Sequence, residues 1–228
     1  MSAVFSPVID GQPSSLSFGK VVCVGRNYAE HAKELNNPIP SQPILFMKPT
    51  TSVASMAEPL VIPQDQGSVH HELEIALLIG EPLANADESD CAKAIVGVGL
   101  ALDLTLRDVQ ATLKEKGHPW ERAKAFDGAC PVSEFVGADH IQDWNNIPLQ
   151  LIRNGAIQQQ GSSAEMLFPI LPLVAHISKV FSLQPGDLIL TGTPAGVGPL
   201  ASGDQLEAKL FAASLNSDAL LQVSTQVY

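Results

Sequence analysis

Apolar residues fall mostly in short runs and in alternating segments, which are typical of strands. The segment Val69–Ile79 alternates cleanly and predicts one continuous strand. Leu149–Arg153 and Ala156–Gln159 flank Asn154-Gly155, the favoured pair for a two-residue type I′ turn, and predict a β-hairpin. Further strands are predicted at the other apolar runs, which are Lys20–Gly25, Ile44–Met47, Ile95–Leu102, Leu188–Leu190, Leu206–Phe211 and Leu220–Val223.

Three segments have the capping signals or the apolar spacing of helices. Asn27 as an N-cap, with Glu30 three residues later, predicts a short, exposed helix that ends near Leu35. Thr105 and Asp108 form a second capping pair of the same spacing. The other two helices are predicted at residues 105–117 and 169–181. Because strands outnumber helices and do not alternate with them, the pattern predicts a mixed α+β fold that is predominantly β.

Length and composition indicate one folded unit. The chain has 228 residues, of which 45% are hydrophobic and 16% charged, so it can bury a sizeable core. We predict an N-terminal lead-in over residues 1–18 and a single catalytic domain over residues 19–228. Cys23, Cys91 and Cys130 are odd in number and form no C-x-x-C pair, which predicts reduced, buried thiols.

Charge narrows the classes of partner. The chain has 13 Lys and Arg residues against 24 Asp and Glu residues, a net charge of −11. Nucleic acid and anionic membrane surfaces are bound through clustered cations, so both are disfavoured as partners. The longest apolar run, Ala94–Leu102, is much shorter than the roughly 20 residues of a membrane span, and the first basic residue is Lys20. These features predict a cytoplasmic protein.

Three carboxylates stand out as candidate metal ligands. Glu72 and Glu74 are two positions apart on a predicted strand and therefore share a face. Asp103 ends a strongly apolar run, where a lone buried carboxylate would cost several kcal/mol. Three oxygen ligands suit Mg²⁺ or Mn²⁺ better than Zn²⁺. The alternatives are that the two glutamates are solvated and that Asp103 caps the following helix.

Two further features could carry chemistry. His31 and Glu34 are three apart on the first predicted helix, where a carboxylate can orient an imidazole that activates water, although an ordinary surface ion pair has the same spacing. The glycine-rich loop 191–198 lacks both the P-loop and the dinucleotide fingerprints. Thr193 and backbone N–H groups of that loop could bind an anion, or the loop could be a tight turn. Covalent catalysis is disfavoured, because no signature of a nucleophilic Ser or Cys is present.

In combination, these motifs resemble the fumarylacetoacetate hydrolase family, specifically its small acylpyruvate hydrolase and oxaloacetate-processing branch. The resemblance runs from Lys20 nearly to the end of the chain. It rests on Gly25-Arg-Asn-Tyr28 with His31 and Glu34, His71-Glu-Leu-Glu74, Leu102-Asp-Leu-Thr105 with Arg107-Asp-Val-Gln110, Ala123-Lys-Ala-Phe126, and Thr191-Gly-Thr-Pro194 with Gly196-Val-Gly198. What it implies is a mixed β-sandwich roll, a homodimer, and Mg²⁺ or Mn²⁺ as the cofactor.

The resemblance also implies roles for individual residues. Glu72, Glu74 and Asp103 match the metal ligands, and His31 and Glu34 match a dyad on a mobile lid that activates water. The remaining matched positions hold the carboxylate and carbonyl oxygens of the substrate, and they are Arg26, Arg107, Gln110, Lys124 and Thr193. Among these, Lys124 and Gln110 are expected to steady the charge that develops during catalysis.

The function expected from this resemblance is metal-dependent hydrolysis of a C–C bond in a 3-acylpyruvate, which releases pyruvate and a carboxylic acid. The same metal-enolate chemistry would also serve an oxaloacetate decarboxylase or a keto–enol tautomerase. A non-enzymatic alternative is a metal-dependent protein that binds 2-oxo acids without converting them. In each case the partner is a small 2-oxo acid.

Overall fold

The computed structural model describes residues 6–34 and 38–228. Within these residues there are sixteen strands and five α-helices. The strands are β1 (Val8–Ile9), β2 (Gln12–Pro13), β3 (Val21–Gly25), β4 (Ile44–Lys48), β5 (Val53–Ser55), β6 (Val69–His71), β7 (Leu73–Ile79), β8 (Ile95–Leu102), β9 (Thr105–Leu106), β10 (Cys130–Gly137), β11 (Pro148–Arg153), β12 (Ala156–Ser162), β13 (Leu188–Leu190), β14 (Gly198–Pro199), β15 (Gln205–Phe211) and β16 (Ala219–Gln226). The helices are α1 (Ala29–Glu34), α2 (Glu88–Ala94), α3 (Arg107–Glu115), α4 (Glu121–Lys124) and α5 (Ile170–Val180).

The strands form three sheets. The largest has nine strands in the order β2-β1-β10-β8-β7-β13-β3-β4, with β5 added beside β10. A four-stranded sheet has the order β12-β11-β15-β16, and a three-stranded sheet has the order β14-β6-β9. The arrangement is strand-dominated α+β, so the predicted fold class is confirmed.

Apolar side chains cover both faces of the nine-stranded sheet. On one face, Leu73, Ile75 and Leu77 of β7 belong to a core that includes residues of the four-stranded sheet and of α5. On the other face, Ala76 and Leu78 of the same strand belong to a smaller core. Because β7 is buried on both sides, a carboxylate at its start lies at the end of a fully packed strand.

Several predicted elements are confirmed by the structure. Strand β8 has the predicted bounds, and the hairpin of β11 and β12 turns through Asn154 and Gly155 with φ angles of 52° and 79°, as a type I′ turn requires. The three cysteines are buried and unpaired. Within the predicted lead-in, Val8–Ile9 and Gln12–Pro13 form β1 and β2, two strands that the sequence pattern did not predict, and β1 pairs with β10 in the large sheet. Among the described residues, no helix is long and apolar enough to cross a membrane.

Other predictions were wrong because contacts between distant parts of the chain override the local pattern. The expected strand Val69–Ile79 is divided at Glu72, because β6 pairs with β9 and β14 whereas β7 pairs with β8 and β13. Asn27 does not cap α1, since its side chain hydrogen-bonds the backbone of Phe168 and Thr191. Thr105 does not cap α3 either, because it lies in β9 and Leu106 is the N-cap of α3 without a capping side chain.

Candidate active site

Sheet register brings the three predicted metal ligands together. β7 and β8 are antiparallel, with Leu73 opposite Leu102, so Glu72 before β7 lies opposite Asp103 after β8. The Asp103 N–H donates to the Glu72 carbonyl at 2.8 Å. One carboxylate oxygen from each of Glu72, Glu74 and Asp103 lies within 4.8 Å of the other two, and all three side chains are buried. The alternative predictions, solvated glutamates and a helix-capping Asp103, are therefore wrong.

Two buried lysines and one arginine contact these carboxylates. Lys124 Nζ lies 2.9 Å from Glu72 Oε2 and 2.5 Å from Asp103 Oδ2. Lys48 Nζ lies 2.7 Å from Asp103 Oδ1, and Arg107 Nη2 lies 2.5 Å from Glu72 Oε1. We call the three carboxylates with Lys48 and Lys124 the floor of the cleft.

Lys48 was missed by the sequence analysis. It is fully buried at the end of β4, and its ammonium group donates to the carbonyls of Leu104, Lys124 and Ala129. It therefore fixes the backbone around Asp103 and Lys124 while it balances the Asp103 charge. The only local signal was a lysine that ends an apolar run before Pro49.

The carboxylates differ in their electrostatic environment. Burial opposes ionisation of Glu72, but Lys124 and Arg107 outweigh this effect and hold its pKa well below the usual range. For Glu74, burial and then the charges of Asp103 and Glu72 raise the pKa. Within the described residues Glu74 forms no ion pair, and its Oε2 accepts a hydrogen bond from the Gly192 N–H at 2.6 Å.

The floor fits a hard divalent cation. All three candidate ligands are carboxylates, which Mg²⁺ and Mn²⁺ prefer. Glu74 is the group that most needs a further positive charge, because it is repelled by its two neighbours and has no cation of its own among the described residues. A dication between the three carboxylates would remove that repulsion. The three carboxylates and their unbalanced negative charge therefore support the predicted metal site.

Helix α1 carries the predicted dyad over the cleft. His31 is 5% exposed and lines the cleft, with its Nδ1 3.3 Å from Glu34 Oε2. The Glu34 oxygens accept a hydrogen bond from the Gly196 N–H at 3.1 and 3.3 Å, which joins α1 to the glycine-rich loop. Gly196 has φ +96°, and a Cβ there would lie 2.0 Å from the Gln158 carbonyl oxygen. The expectation of an exposed helix holds only in part, because His31 and Ala32 are buried whereas the other charged residues of α1 are exposed. Its predicted end near Leu35 lies outside the described residues.

One cleft contains nearly all the predicted site residues. Glu34 contacts the cleft only through His31. The predicted residues that line it are Arg26, His31, Glu72, Glu74, Asp103, Arg107, Gln110, Lys124 and Thr193. It is also lined by side chains that the sequence analysis did not single out, namely Phe46, Lys114 and Trp120.

Gln159 connects the hairpin to the site and was also missed. Its Oε1 accepts from the Leu73 N–H at 2.9 Å and lies 3.0 Å from His71 Nδ1. Its Nε2 donates to Thr193 Oγ1 at 2.7 Å. Gln159 thereby holds the start of β7 against the glycine-rich loop, and no local sequence pattern marks this role.

Comparison with known proteins gives a consistent family match. The model of the fumarylacetoacetate hydrolase C-terminal domain matches residues 20–227. Oxaloacetate tautomerase YcgM of Escherichia coli is 52% identical over 202 residues, which are 88% of this chain and 92% of that protein. The mitochondrial oxaloacetate decarboxylase of Dictyostelium discoideum is 43% identical over 189 residues, which are 82% of this chain and 87% of that protein.

Solved structures share the fold over their whole length. A crystal structure from Oleispira antarctica is 61% identical, with a TM-score of 0.93 over 98% of this chain and 99% of that chain. The fumarylpyruvate hydrolase of Pseudomonas aeruginosa, solved with Mn²⁺ and pyruvate, is 29% identical, with a TM-score of 0.89 over 100% of this chain and 97% of that one. A relative of this fold therefore binds a divalent metal together with a 2-oxo acid.

Proposed function

The chain belongs to the fumarylacetoacetate hydrolase family, and on that premise we propose that it is a metal-dependent oxaloacetate tautomerase, which interconverts the keto and enol forms of oxaloacetate. The observation that carries the proposal is a buried three-carboxylate floor with His31 above it in the same cleft. The tautomerase relative in E. coli, which is similar over nearly the whole of both chains, supports the choice of reaction. The sequence analysis placed acylpyruvate hydrolysis first, and the relatives favour its alternative.

Glu72, Glu74 and Asp103 would hold Mg²⁺ or Mn²⁺. When bound, the ion supplies Lewis acidity, which polarises the 2-oxo group and makes the neighbouring C–H more acidic. The proposed metal is supported by the fit of the floor to a hard cation and by the Mn²⁺ in the P. aeruginosa relative.

The protein's own residues move the proton. Tautomerisation transfers one proton between C3 and the 2-oxo oxygen, so it breaks no C–C bond and consumes no water. His31 Nδ1 is directed to Glu34, which leaves Nε2 to accept the C3 proton. Burial lowers the pKa of Lys124, but Asp103 and Glu72 outweigh it and raise that pKa, so Lys124 remains an ammonium that would donate a hydrogen bond to the 2-oxo oxygen. In this proposal the protonated His31 returns the C3 proton to that oxygen, so the enol forms and the base is restored.

Arg107 and Gln110 position the substrate in this proposal. Arg107 Nη1 donates to Gln110 Oε1 at 2.8 Å, so the two side chains present one hydrogen-bonding surface beside Glu72. Their position in the cleft suits the carboxylate at C1 of a 2-oxo acid. Thr193 has its hydroxyl bonded to the Leu73 carbonyl at 2.8 Å and serves to fix the opposite wall.

Two other reactions have specific support. Hydrolysis of a 3-acylpyruvate is favoured by the contact between His31 and Glu34, which can activate water, and by the fumarylpyruvate hydrolase relative. Decarboxylation of oxaloacetate is favoured by the D. discoideum relative. Homodimerisation and a cytoplasmic location stay predictions.

The proposal is tested by comparing three reactions of the purified protein with Mg²⁺ and with Mn²⁺. Ultraviolet absorbance follows the decay of enol-oxaloacetate, a coupled dehydrogenase follows pyruvate release from oxaloacetate, and absorbance loss follows acetylpyruvate and fumarylpyruvate hydrolysis. We expect tautomerisation to have the largest kcat/KM and to be abolished by a chelator. A larger kcat/KM for either acylpyruvate would overturn the proposal in favour of hydrolysis.

A further inference from the structure

The cleft has a second cationic region at its mouth, formed by Lys114 and Arg26. We infer that Lys114, together with Arg26, binds the distal carboxylate of the substrate and so selects 2-oxo dicarboxylates over 2-oxo monocarboxylates. The inference rests on the proposed function for the identity of the substrate, and it adds a specificity-determining residue, Lys114, that the sequence motifs do not include.

Helix α3 places Lys114 in line with the substrate-positioning residues. Arg107, Gln110 and Lys114 are spaced i, i+3 and i+7, so they lie on one face of α3, and all three line the cleft. Arg107 and Gln110 begin this row beside Glu72. Lys114 lies about two turns farther along the helix and is exposed, at the outer end of the same surface.

Arg26 approaches the same region from the other side of the cleft. It follows β3 with φ +61°, a backbone conformation that is uncommon for a residue with a side chain. Its side chain is half-buried and lines the cleft, and none of the described residues forms an ion pair with its guanidinium group. A positive φ and a half-buried side chain that lines a cleft are typical of an arginine that binds a ligand.

The charges of the mouth favour an anion. Arg26, Arg107 and Lys114 all line the cleft, and partial burial and then the positive charges of Arg26 and Arg107 lower the pKa of Lys114. Farther in, Lys48, Lys124 and Arg107 contact the carboxylates of the floor. An incoming carboxylate at the mouth would relieve the repulsion between Arg26 and Lys114.

The two ends of a 2-oxo dicarboxylate match the two cationic regions, one at the floor of the cleft and one at its mouth. A 2-oxo acid that directs its C1 carboxylate and its 2-oxo oxygen to the floor must direct the rest of its chain to the mouth of the cleft. In oxaloacetate that remainder ends in a carboxylate, whereas in pyruvate it is a methyl group. Lys114 and Arg26 therefore meet a charge in the first case and an apolar group in the second.

The test compares two ligands that cannot undergo keto–enol exchange, in calorimetric titrations with Mg²⁺ present. Oxalate can occupy only the floor, whereas 3,3-difluorooxaloacetate has a distal carboxylate and cannot form an enol. Lys114→Gln should weaken difluorooxaloacetate binding by about five- to tenfold and change oxalate binding less than twofold. Lys116→Gln is the matched control, because Lys116 is an exposed lysine at the end of the same helix that does not line the cleft. Lys114→Arg should restore most of the affinity.

Equal weakening of both ligands by Lys114→Gln, or no change in either, would overturn the inference. The result is independent of the proposed reaction, because neither ligand has to be converted. If the wild-type protein binds difluorooxaloacetate through Lys114 but does not interconvert the forms of oxaloacetate, the proposed tautomerase function fails while the subsite stands. If oxaloacetate is interconverted with an unchanged KM in Lys114→Gln, the subsite fails while the function stands.

Discussion

The floor of the cleft and the helix above it are held in place by different kinds of contact. The floor is fixed by the register of β7 and β8 and by Lys48, whose ammonium bonds three backbone carbonyls. Helix α1 has six described residues, and Glu34 joins it to the glycine-rich loop through the Gly196 N–H. A helix this short is not stable alone, so its position depends on tertiary contacts. We therefore expect a floor formed in advance and a lid that responds to ligand.

The largest effect is expected from a change in the floor. Glu74→Gln should weaken Mn²⁺ binding more than about 100-fold and abolish activity, because it removes one of three charged ligands. In the metal-free protein at pH 7 the same variant should melt at a higher temperature. Burial and the neighbouring carboxylates raise the pKa of Glu74 in the folded protein, so the folded state loses stability as pH rises and the carboxyl group ionises. Glutamine does not ionise, so the variant avoids this loss.

Calorimetry with Mn²⁺ and thermal melting in a chelator measure these two effects. Glu88→Gln is the control, because Glu88 is exposed on α2. Unchanged Mn²⁺ affinity in Glu74→Gln would remove that residue from the metal site.

Changes in the lid should affect turnover without affecting metal binding. His31→Gln and Glu34→Gln should each lower kcat for tautomerisation, by about 100-fold for His31, because they remove the base or the group that orients it. Mn²⁺ and oxalate affinities should remain within about twofold of wild type, since neither residue belongs to the floor. Loss of Mn²⁺ affinity comparable to that of Glu74→Gln would show that the two regions are not independent.

Acylpyruvate hydrolysis, the alternative reaction, would require His31 and Glu34 to activate water. Hydrolysis of an acylpyruvate needs an attacking water, whereas oxaloacetate decarboxylation does not. If the dyad activates water, His31→Gln should lower acylpyruvate hydrolysis more than decarboxylation, as the ratio of the two rates in each variant would show. Parallel loss of both would place the dyad in a common step such as proton transfer or lid closure.

A smaller effect is expected when only the contact between lid and loop is disturbed. Gly196→Ala adds a Cβ 2.0 Å from the Gln158 carbonyl oxygen, so the loop must shift and the hydrogen bond to Glu34 is lost. Activity should fall about tenfold, and amide exchange over Ala29–Glu34 should become faster. Gly203→Ala is matched to it, because Gly203 has a similar φ of +94° but no atom within 4 Å of the added Cβ.

Amide exchange in the wild-type protein compares the lid with the floor directly. With oxalate and Mg²⁺, amide exchange over Ala29–Glu34 should slow, while exchange in β7 and β8 should change little. Equal protection of α1 with and without ligand would argue against a lid.

The smallest effect is expected outside both regions, at Asp204. Burial opposes its ionisation, but hydrogen bonds from the Ala201 N–H and from Asn154 outweigh this and lower the pKa of Asp204. The stability it contributes is present above about pH 4 and is lost as pH falls through the lowered pKa. Asp204→Asn should cost about 1 kcal/mol at pH 7, flatten the acid side of the stability curve, and leave kcat unchanged. Asp218→Asn, at an exposed position, should change neither the stability nor its pH dependence, and it should also leave kcat unchanged.

Local patterns predicted several of the elements and the three carboxylates of the floor. The Asn154-Gly155 turn, the bounds of β8 and the shared face of Glu72 and Glu74 all follow from period and turn chemistry. Lys48 and Gln159 could not be found in this way, because their partners are up to 88 positions away in the sequence. Asn27 has a capping signal, but its side chain forms hydrogen bonds with the backbone of Phe168, 141 positions away, and does not cap the helix.

The central claim, that the cleft moves a proton at C3 of oxaloacetate without breaking a C–C bond, is tested most directly by proton NMR of oxaloacetate in deuterated water. With wild-type protein and Mg²⁺, deuterium should enter C3 much faster than pyruvate appears. Glu74→Gln and His31→Gln should both reduce this exchange towards the uncatalysed rate. Exchange no faster than in the absence of protein, or pyruvate formation that keeps pace with exchange, would contradict the account.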